Sequence, residues 1–314
     1  MSADTVATTP GARRALGSTG LVVSPLCVGG AEFGSVRVLG YEVPEDRALA
    51  TLRAVFESPI NFLDTGASYG QGESERRIGM ALRELGGLPP GFVLATKADR
   101  DPDTGDFSAD QVRRSVERSL RLLGRDRLQL VYLHDPEYAT QSFEQIVGPA
   151  GAVDALHRFK SDGIIDHVGI ASGPTDLIMR YIETDLFEVA LSHNRYTLLD
   201  RSAEPLFDVA ARHGVAVVNA APYGGGLLVK GPQAVPHYMY RPASADLLSR
   251  AERMTEVCDR YGIPLAAAAL QFSLRDQRII STIVGFSHPE RVAQTIRLAT
   301  TDIPDALWED LEAA

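Results

Sequence analysis

The sequence predicts a single α/β domain in which eight parallel strands close into a (β/α)8 TIM barrel. Three observations lead there. Eight short apolar runs recur along the 314 residues, and each suits a strand buried on both faces because it is apolar without strict alternation. Segments of helical period lie between the runs, and this alternation implies a parallel sheet. The competing architecture, an open doubly wound sheet, normally carries G-x-G-x-x-G after its first strand. This chain reads "GGAEFGS" there and has no G-x-x-x-x-G-K-[ST]. No Ser- or Pro-rich linker divides the chain, and its length suits one barrel.

In order, residues 1 to 11 are expected to be a disordered tail and residues 12 to 314 the barrel domain. In "RRALGSTGLVVSP", Gly17-Ser18-Thr19-Gly20 separates two apolar arms, which predicts a β-hairpin plugging the barrel's bottom. "LVVSPLCVGG" is the first barrel strand, and Leu49, Leu52, Ala54, Val55 and Phe56 mark the helix after it. "INFLDT" follows, with a helix carrying Glu75, Ile78, Ala81, Leu82 and Leu85. "GFVLATK" precedes "DQVRRSVERSLRLLG", where Val112, Val116, Leu120 and Leu123 fall at steps of three and four and Gly124 reads as a C-cap. "LQLVYLH", "DHVGIAS" and "EVALSHN" alternate with the helices "VDALHRFKSDG", "PTDLIMRYIETD" and "AEPLFDVAARHG". "VAVVNAAP" leads through "ADLLSRAERMTEVCDRYG" and "LAAAALQFSLRD" to "STIVG", and "PERVAQTIRLA" is the last of these helices. The segment "VPHYMYRPASA" and the tail around Trp308 are candidates for a substrate lid, with a structural cap equally open for Trp308.

Composition excludes several classes. A net charge of −10 argues against nucleic acid and an anionic membrane surface, since a phosphate-binding face needs clustered Lys and Arg. The N-terminus lacks an apolar signal region, and "GIPLAAAALQFSL" is too short to span a bilayer. Cys27 and Cys258 are far apart, outside any CxxC, and read as buried small hydrophobes in a reducing compartment. The expectation is a cytoplasmic protein, a monomer or homo-oligomer, acting on a small molecule.

A (β/α)8 barrel builds its active site at the C-terminal ends of its strands. There the second strand ends at Asp64 and leads to Tyr69, the third ends at Lys97 and the fourth at His134. Singly, Asp64 could cap a helix, Lys97 could be solvated and His134 could be a satisfied core histidine. Jointly, on consecutive strand ends, they suit proton exchange on an alcohol–carbonyl pair. A phenol, ordinarily titrating near 10, is favoured as phenolate by a neighbouring ammonium, and a partly buried ammonium needs a carboxylate. An imidazole beside them can donate to a carbonyl oxygen or help pass the proton. No nucleophile–base pair for acyl transfer is present, and His134, Asp135 and Asp64 lack metal-ligand spacing such as HExxH.

At these residues the chain resembles the aldo-keto reductase superfamily. "FLDTGASYGQGESERRIGMAL" is similar to that family's D-T-A-x-x-Y-G segment and its G-x-S-E-x-x-x-G helix, and "LATK" and "RLQLVYLH" follow in the family's order. The resemblance implies a catalytic tetrad of Asp64, Tyr69, Lys97 and His134, and NAD or NADP lying extended across the barrel mouth with direct hydride transfer. "LHDPE", "NRYTLLDRSAEPL" and "NAAPYGGGLL" resemble the branch of D-threo-aldose (L-fucose), L-galactose and pyridoxal 4-dehydrogenases. That branch implies oxidation of a ring hemiacetal to a lactone, with a sugar as substrate. The alternatives are pyridoxal, general NADPH-dependent aldehyde or ketone reduction and, more remotely, a cofactor-sensing regulatory subunit.

The resemblance further implies cofactor contacts from Gly29, Gly30, Asp64, Ser172, His193, Asn194, Pro222, Tyr223, Gly224, Gly226, Leu227, Gly285, Ser287 and Arg291. Phe33, Tyr69, His134 and Asn194 are implied at the substrate. There are departures: Ala171-Ser172 replaces a family Ser-Asn, and Ala220 falls near a stacking tyrosine. Gly285 stands about where NADPH-preferring members carry a basic residue, which tilts the choice toward NAD while Arg291 could still accept NADP.

Overall fold

The computed structural model describes residues 11–34, 41–239 and 241–314. The expected N-terminal tail lies outside the described residues except for Gly11. The chain begins with a hairpin of β1 (Arg14–Ala15) and β2 (Val22–Val23), Arg14 opposite Val23. β3 (Leu26–Gly29), β4 (Phe62–Asp64), β5 (Val93–Ala98), β6 (Leu128–His134), β7 (Ile165–Ser172), β8 (Val189–His193) and β9 (Ala216–Ala220) follow. A small hairpin, β10 (His237–Tyr238) with β11 (Arg241–Pro242), precedes β12 (Ile279–Gly285). Strands β3 to β9 and β12 are parallel and close into a barrel, β12 pairing with both β9 and β3.

Side chains of a strand alternate between its two faces, and here that alternation sorts the core into two. Cys27, Phe62, Val93, Ala95, Leu130, Tyr132, Val189, Leu191, Val218 and Ile283 fill the barrel interior. Leu26, Val28, Leu63, Leu94, Val131, Leu133 and Ile170 face the helices instead. Helix Leu265–Leu274 is buried nearly all round, which is why its sequence is apolar except for Gln271 and Ser273, both hydrogen-bonded. Helix Ala109–Leu123 starts where Ser108 Oγ accepts the Gln111 N–H and ends at Gly124 in the left-handed region, φ 64°. Cys27 and Cys258 are both buried.

The hairpin seals the end where the strands begin. Leu16 and Val23 enter the interior core, and the Arg14 guanidinium donates to the carbonyls of Leu274 (3.1 Å) and Ile279 (2.8 Å). Trp308 lies at this same end: its ring faces Arg275, 4.3 Å away, just after helix Leu265–Leu274 and before β12. Trp308 therefore lies at the bottom end and away from the mouth. The other lid candidate forms β10–β11, anchored by the Tyr238 hydroxyl to Thr197 Oγ1 (2.8 Å) and to the Asn194 carbonyl (3.2 Å). Among the described residues no helix is long and apolar enough to cross a membrane.

Candidate active site

The same alternation that fills the interior decides what stands in its top layer. Phe62 points inward, so Asp64 does also; Val93 and Ala95 point inward, and so does Lys97; Leu130 and Tyr132 are followed by His134. Continuing round the barrel, the same parity brings His193 from β8, Ala220 from β9, Gly285 from β12 and Gly29 from β3. One half of the mouth is thus ionisable and the other nearly free of side chains.

In the ionisable half, Lys97 is 1% exposed and Asp64 is 3% exposed. The Lys97 ammonium donates to Asp64 Oδ1 and to the Thr65 carbonyl at 2.6 Å. It also stands 4.6 Å from the centroid of the half-buried Tyr69 ring. The His134 ring meets Tyr69 edge-on, with centroids 5.9 Å apart. Tyr69 owes its position to the loop after β4, where Gly70 and Gly72 take φ of 62° and 92° and Gln71 takes 56°.

Burial works against the Lys97 ammonium, but the charge of Asp64 and the hydroxyl of Tyr69 outweigh it, so Lys97 holds its proton more firmly than an ordinary lysine. Burial also raises the pKa of Tyr69, and here it wins over the lowering effect of Lys97. The sequence-based expectation of a phenol brought down by Lys97 therefore captures one contribution and the wrong net direction for the site as it stands. At His134 burial opposes protonation, yet Asp135 and Asp99 more than offset it and the pKa rises. His193 goes the other way: burial lowers it, with His134, Arg195 and Lys97 adding to the effect against Asp135.

Sequence reasoning missed Asp99. Its Oδ1 lies 2.6 Å from His134 Nδ1, and its Oδ2 accepts the backbone N–H of Ser68 at 2.7 Å. Burial would raise this carboxyl, but His134 and the Ser68 N–H hold it below the ordinary aspartate value. The signal was available, since Lys97-Ala98-Asp99 keeps the two-residue period by which Lys97 reaches the mouth.

The open half carries most of the expected cofactor residues. Gly29 packs against Ile283, and Gly30 leaves no room for a Cβ beside the Asp64 carbonyl and Ser74 Oγ. Gly224, Gly225 and Gly226 turn through φ of 57°, 73° and 101° after Pro222 and Tyr223, a run that side chains rarely adopt, and Gly226 faces open space. Among the described residues the buried Asn194 Oδ1 and Tyr223 Oη have no partner in this half, and neither does Asp135 Oδ1 beside His134. Asn194 itself takes φ 59° and turns its amide to His193 Nδ1 at 3.1 Å. An extended ligand with amide and hydroxyl groups fits this glycine-lined, under-satisfied rim. Ser287 Oγ pairs with His288 (2.9 Å) and Arg291 with Gln294 (3.2 Å).

Three side chains among the expected contacts are already engaged by the fold. Phe33 is fully buried in the outer core, which turns its ring away from any substrate. The Leu227 side chain is likewise in that core, leaving only its backbone for a ligand. Ser172 Oγ donates to Glu137 Oε2 at 2.8 Å, so its hydroxyl is already engaged. Among the described residues no group of three or more His, Cys, Asp or Glu is placed to hold a metal.

Known proteins resemble this chain in sequence and in fold. Residues 25–314 match the Aldo/keto reductase family. The L-galactose dehydrogenase of Arabidopsis thaliana is 34% identical over 290 residues, covering 91% of this chain and 88% of that protein. The D-threo-aldose 1-dehydrogenase of a Pseudomonas species is 30% identical over 326 residues, 96% of each chain. The pyridoxal 4-dehydrogenase of Microbacterium luteolum is also 30% identical, over 338 residues and 96% of each. Among solved structures, an aldo-keto reductase from Bacillus halodurans in its holo form superposes with a TM-score of 0.77 at 26% identity, covering 96% of this chain and 95% of that one. The barrel, its mouth and these likenesses agree: the chain belongs to the aldo/keto reductase family and is an NAD(P)-dependent oxidoreductase acting on CH–OH groups.

Proposed function

We propose that the protein oxidises the anomeric hydroxyl of an aldose of the L-fucose, L-galactose or D-arabinose type to the lactone, with a preference for NAD. The observation that carries this reading is the divided mouth, with a phenol, an ammonium and an imidazole facing a half lined by Gly29, Ala220 and Gly285. When bound, a nicotinamide supplies the hydride acceptor and, in its oxidised form, a positive charge that favours a nearby phenolate. Asn194 and the Tyr223–Gly226 turn would hold it. Tyr69 takes the hydroxyl proton, the Lys97 ammonium steadies the phenolate, and Asp64 balances Lys97 in a site that excludes water. His134 orients the oxygen. The same groups run carbonyl reduction in reverse.

A polyhydroxylated substrate is supported by the donors and acceptors around the imidazole, including the unpartnered Asp135 Oδ1 and Asn194 Oδ1. The preference for NAD is supported at Gly285. A Cβ there would overlap Glu32 Oε1, so a carboxylate stands where a 2′-phosphate wants a cation. The test is reduced-nicotinamide absorbance with NAD or NADP offered against L-fucose, L-galactose, D-arabinose and pyridoxal. Turnover with a sugar and NAD is the expected result. Turnover with pyridoxal alone, or only as NADPH-dependent aldehyde reduction, would refute it.

A further inference from the structure

The carboxylate of Asp99 is held more rigidly than a surface acid has reason to be. It is 5% exposed; its own N–H donates to Ser115 Oγ (3.0 Å) and its carbonyl accepts from Gln111 Nε2 (3.0 Å). The nearby cations are engaged elsewhere: Lys97 on Asp64, and Arg100 over the Tyr138 ring at 4.9 Å. What Asp99 holds is His134 Nδ1 with one oxygen and, with the other, the N–H of Ser68, the residue before Tyr69.

We propose that Asp99 is a positioning residue: it fixes His134 with Nδ1–H donated to the carboxylate and Nε2 turned to the reacting oxygen, while anchoring the loop that carries Tyr69. This rests on the reading of Tyr69 and His134 as the pair that meets that oxygen. The two ring nitrogens of histidine are distinct, and the partner of one decides the protonation of the other. With Nδ1–H committed to Asp99, the protonated ring presents Nε2–H, which donates to the substrate oxygen both as hydroxyl and as carbonyl, while the hydroxyl proton itself passes to Tyr69. One fixed ring thus serves both directions of the reaction without a flip. Because the second carboxylate oxygen holds the Tyr69 loop, phenol and imidazole keep their edge-on arrangement with the oxygen between them.

The groups facing His134 all bear on its titration. Asp99 lies beyond the end of β5 and Lys97 on that strand; Asp64 and Tyr69 come from β4 and its loop, and His193 from β8. Asp135 is adjacent in sequence, its Oδ2 3.7 Å from Nε2. The two carboxylates flank the two nitrogens, and Lys97 opposes them.

The experiment is 15N NMR of histidine-labelled protein without cofactor, with His134 assigned by its loss in His134→Gln. In the wild type, neutral His134 is expected as the Nδ1–H tautomer. In Asp99→Asn, a mixture of tautomers is expected, with a titration midpoint lower by about one pH unit or more, while Asp99→Glu restores much of the wild-type behaviour. With a turned-over substrate, Asp99→Asn should lose roughly 10–100-fold in kcat with little change in cofactor KM, and its pH profile should move with the NMR midpoint. A wild-type His134 found as the Nε2–H tautomer would overturn the proposal, and that spectrum needs no variant to fold. So would an Asp99→Asn spectrum in which tautomer and midpoint are unchanged, even if the rate had fallen. Because the resonance is read without substrate, a silent sugar panel counts against the proposed reaction and leaves the role of Asp99 to be decided by the spectrum.

Discussion

Glu75 offers a test of how well the barrel wall excludes water. It lies on helix Glu73–Glu84 with no exposed surface; Thr96 Oγ1 donates to its Oε1 at 2.6 Å, and its Oε2 has no partner. Burial pushes this carboxyl up to about 7, against the lowering pull of its hydrogen bond from Thr96. An unfolded glutamate titrates near 4.3. Between those values the folded chain keeps a proton that the unfolded chain releases, so stability falls as pH rises through this window and levels off above it. The displacement of about 2.5 units corresponds to a cost of about 3.5 kcal/mol above pH 7, of which about 2.5 kcal/mol develops between pH 5 and pH 8.

Glu75→Gln removes the titration. Its Nε2 would lack a partner where Oε2 stood, which adds a penalty of about 1–3 kcal/mol that does not vary with pH. The informative quantity is therefore the stability difference between variant and wild type, from urea unfolding at pH 5 and pH 8. It should shift by about 2.5 kcal/mol in favour of the variant as pH rises. Parallel pH dependences would mean that Glu75 is ionised inside the fold, and the burial argument would fail.

Tyr69→Phe should lower kcat by about 10²–10⁴-fold while cofactor affinity, read by fluorescence titration, stays near wild type; near-normal turnover would remove Tyr69 from proton transfer. Lys97→Met leaves the Asp64 carboxylate buried and unpaired, so it should destabilise by about 3–5 kcal/mol, and adding Asp64→Asn should recover much of that in a denaturation series. Gly79→Ala should destabilise by about 1–3 kcal/mol despite alanine's better helix propensity. A Cβ there would overlap the Leu122 carbonyl of helix Ala109–Leu123, and a gain in thermal stability would contradict that close approach.

Much of the site was legible because a strand's two-residue period is a strong constraint. Once Phe62, Ala95 and Tyr132 are assigned inward, Asp64, Lys97 and His134 must follow. The same rule, carried two residues past Lys97, would have produced Asp99. It was missed because the reading stopped at the last apolar-run residue, although the inward-facing course continues beyond it. Other features depend on three-dimensional closure. Ser172 meets Glu137 only because β6 and β7 pair side by side. Glu32 meets Gly285 only because the first and last barrel strands are neighbours. The pKa of Tyr69 was misjudged because a sequence names the neighbouring charge and is silent on how much water is removed. Phe33 follows two glycines at a strand end, which looks like a loop, but a short 3₁₀ turn over Gly30–Phe33 folds its ring into the outer core.

The seam between β3 and β12 also orders events in time. Arg14 and Leu16 belong to the floor of the barrel, yet Arg14 is tied to carbonyls about 265 residues further along. Neither the floor nor the wall can close until β12 has been synthesised, so a nascent chain carries its finished first strands with an exposed edge for most of its translation. Such distant pairing slows folding, because the loop entropy is spent before the contact forms. A chain truncated before Ile279 would lose the β12 partner of β3 and the Ile279 carbonyl anchor of the hairpin together, which makes the last strand the clasp of the whole molecule.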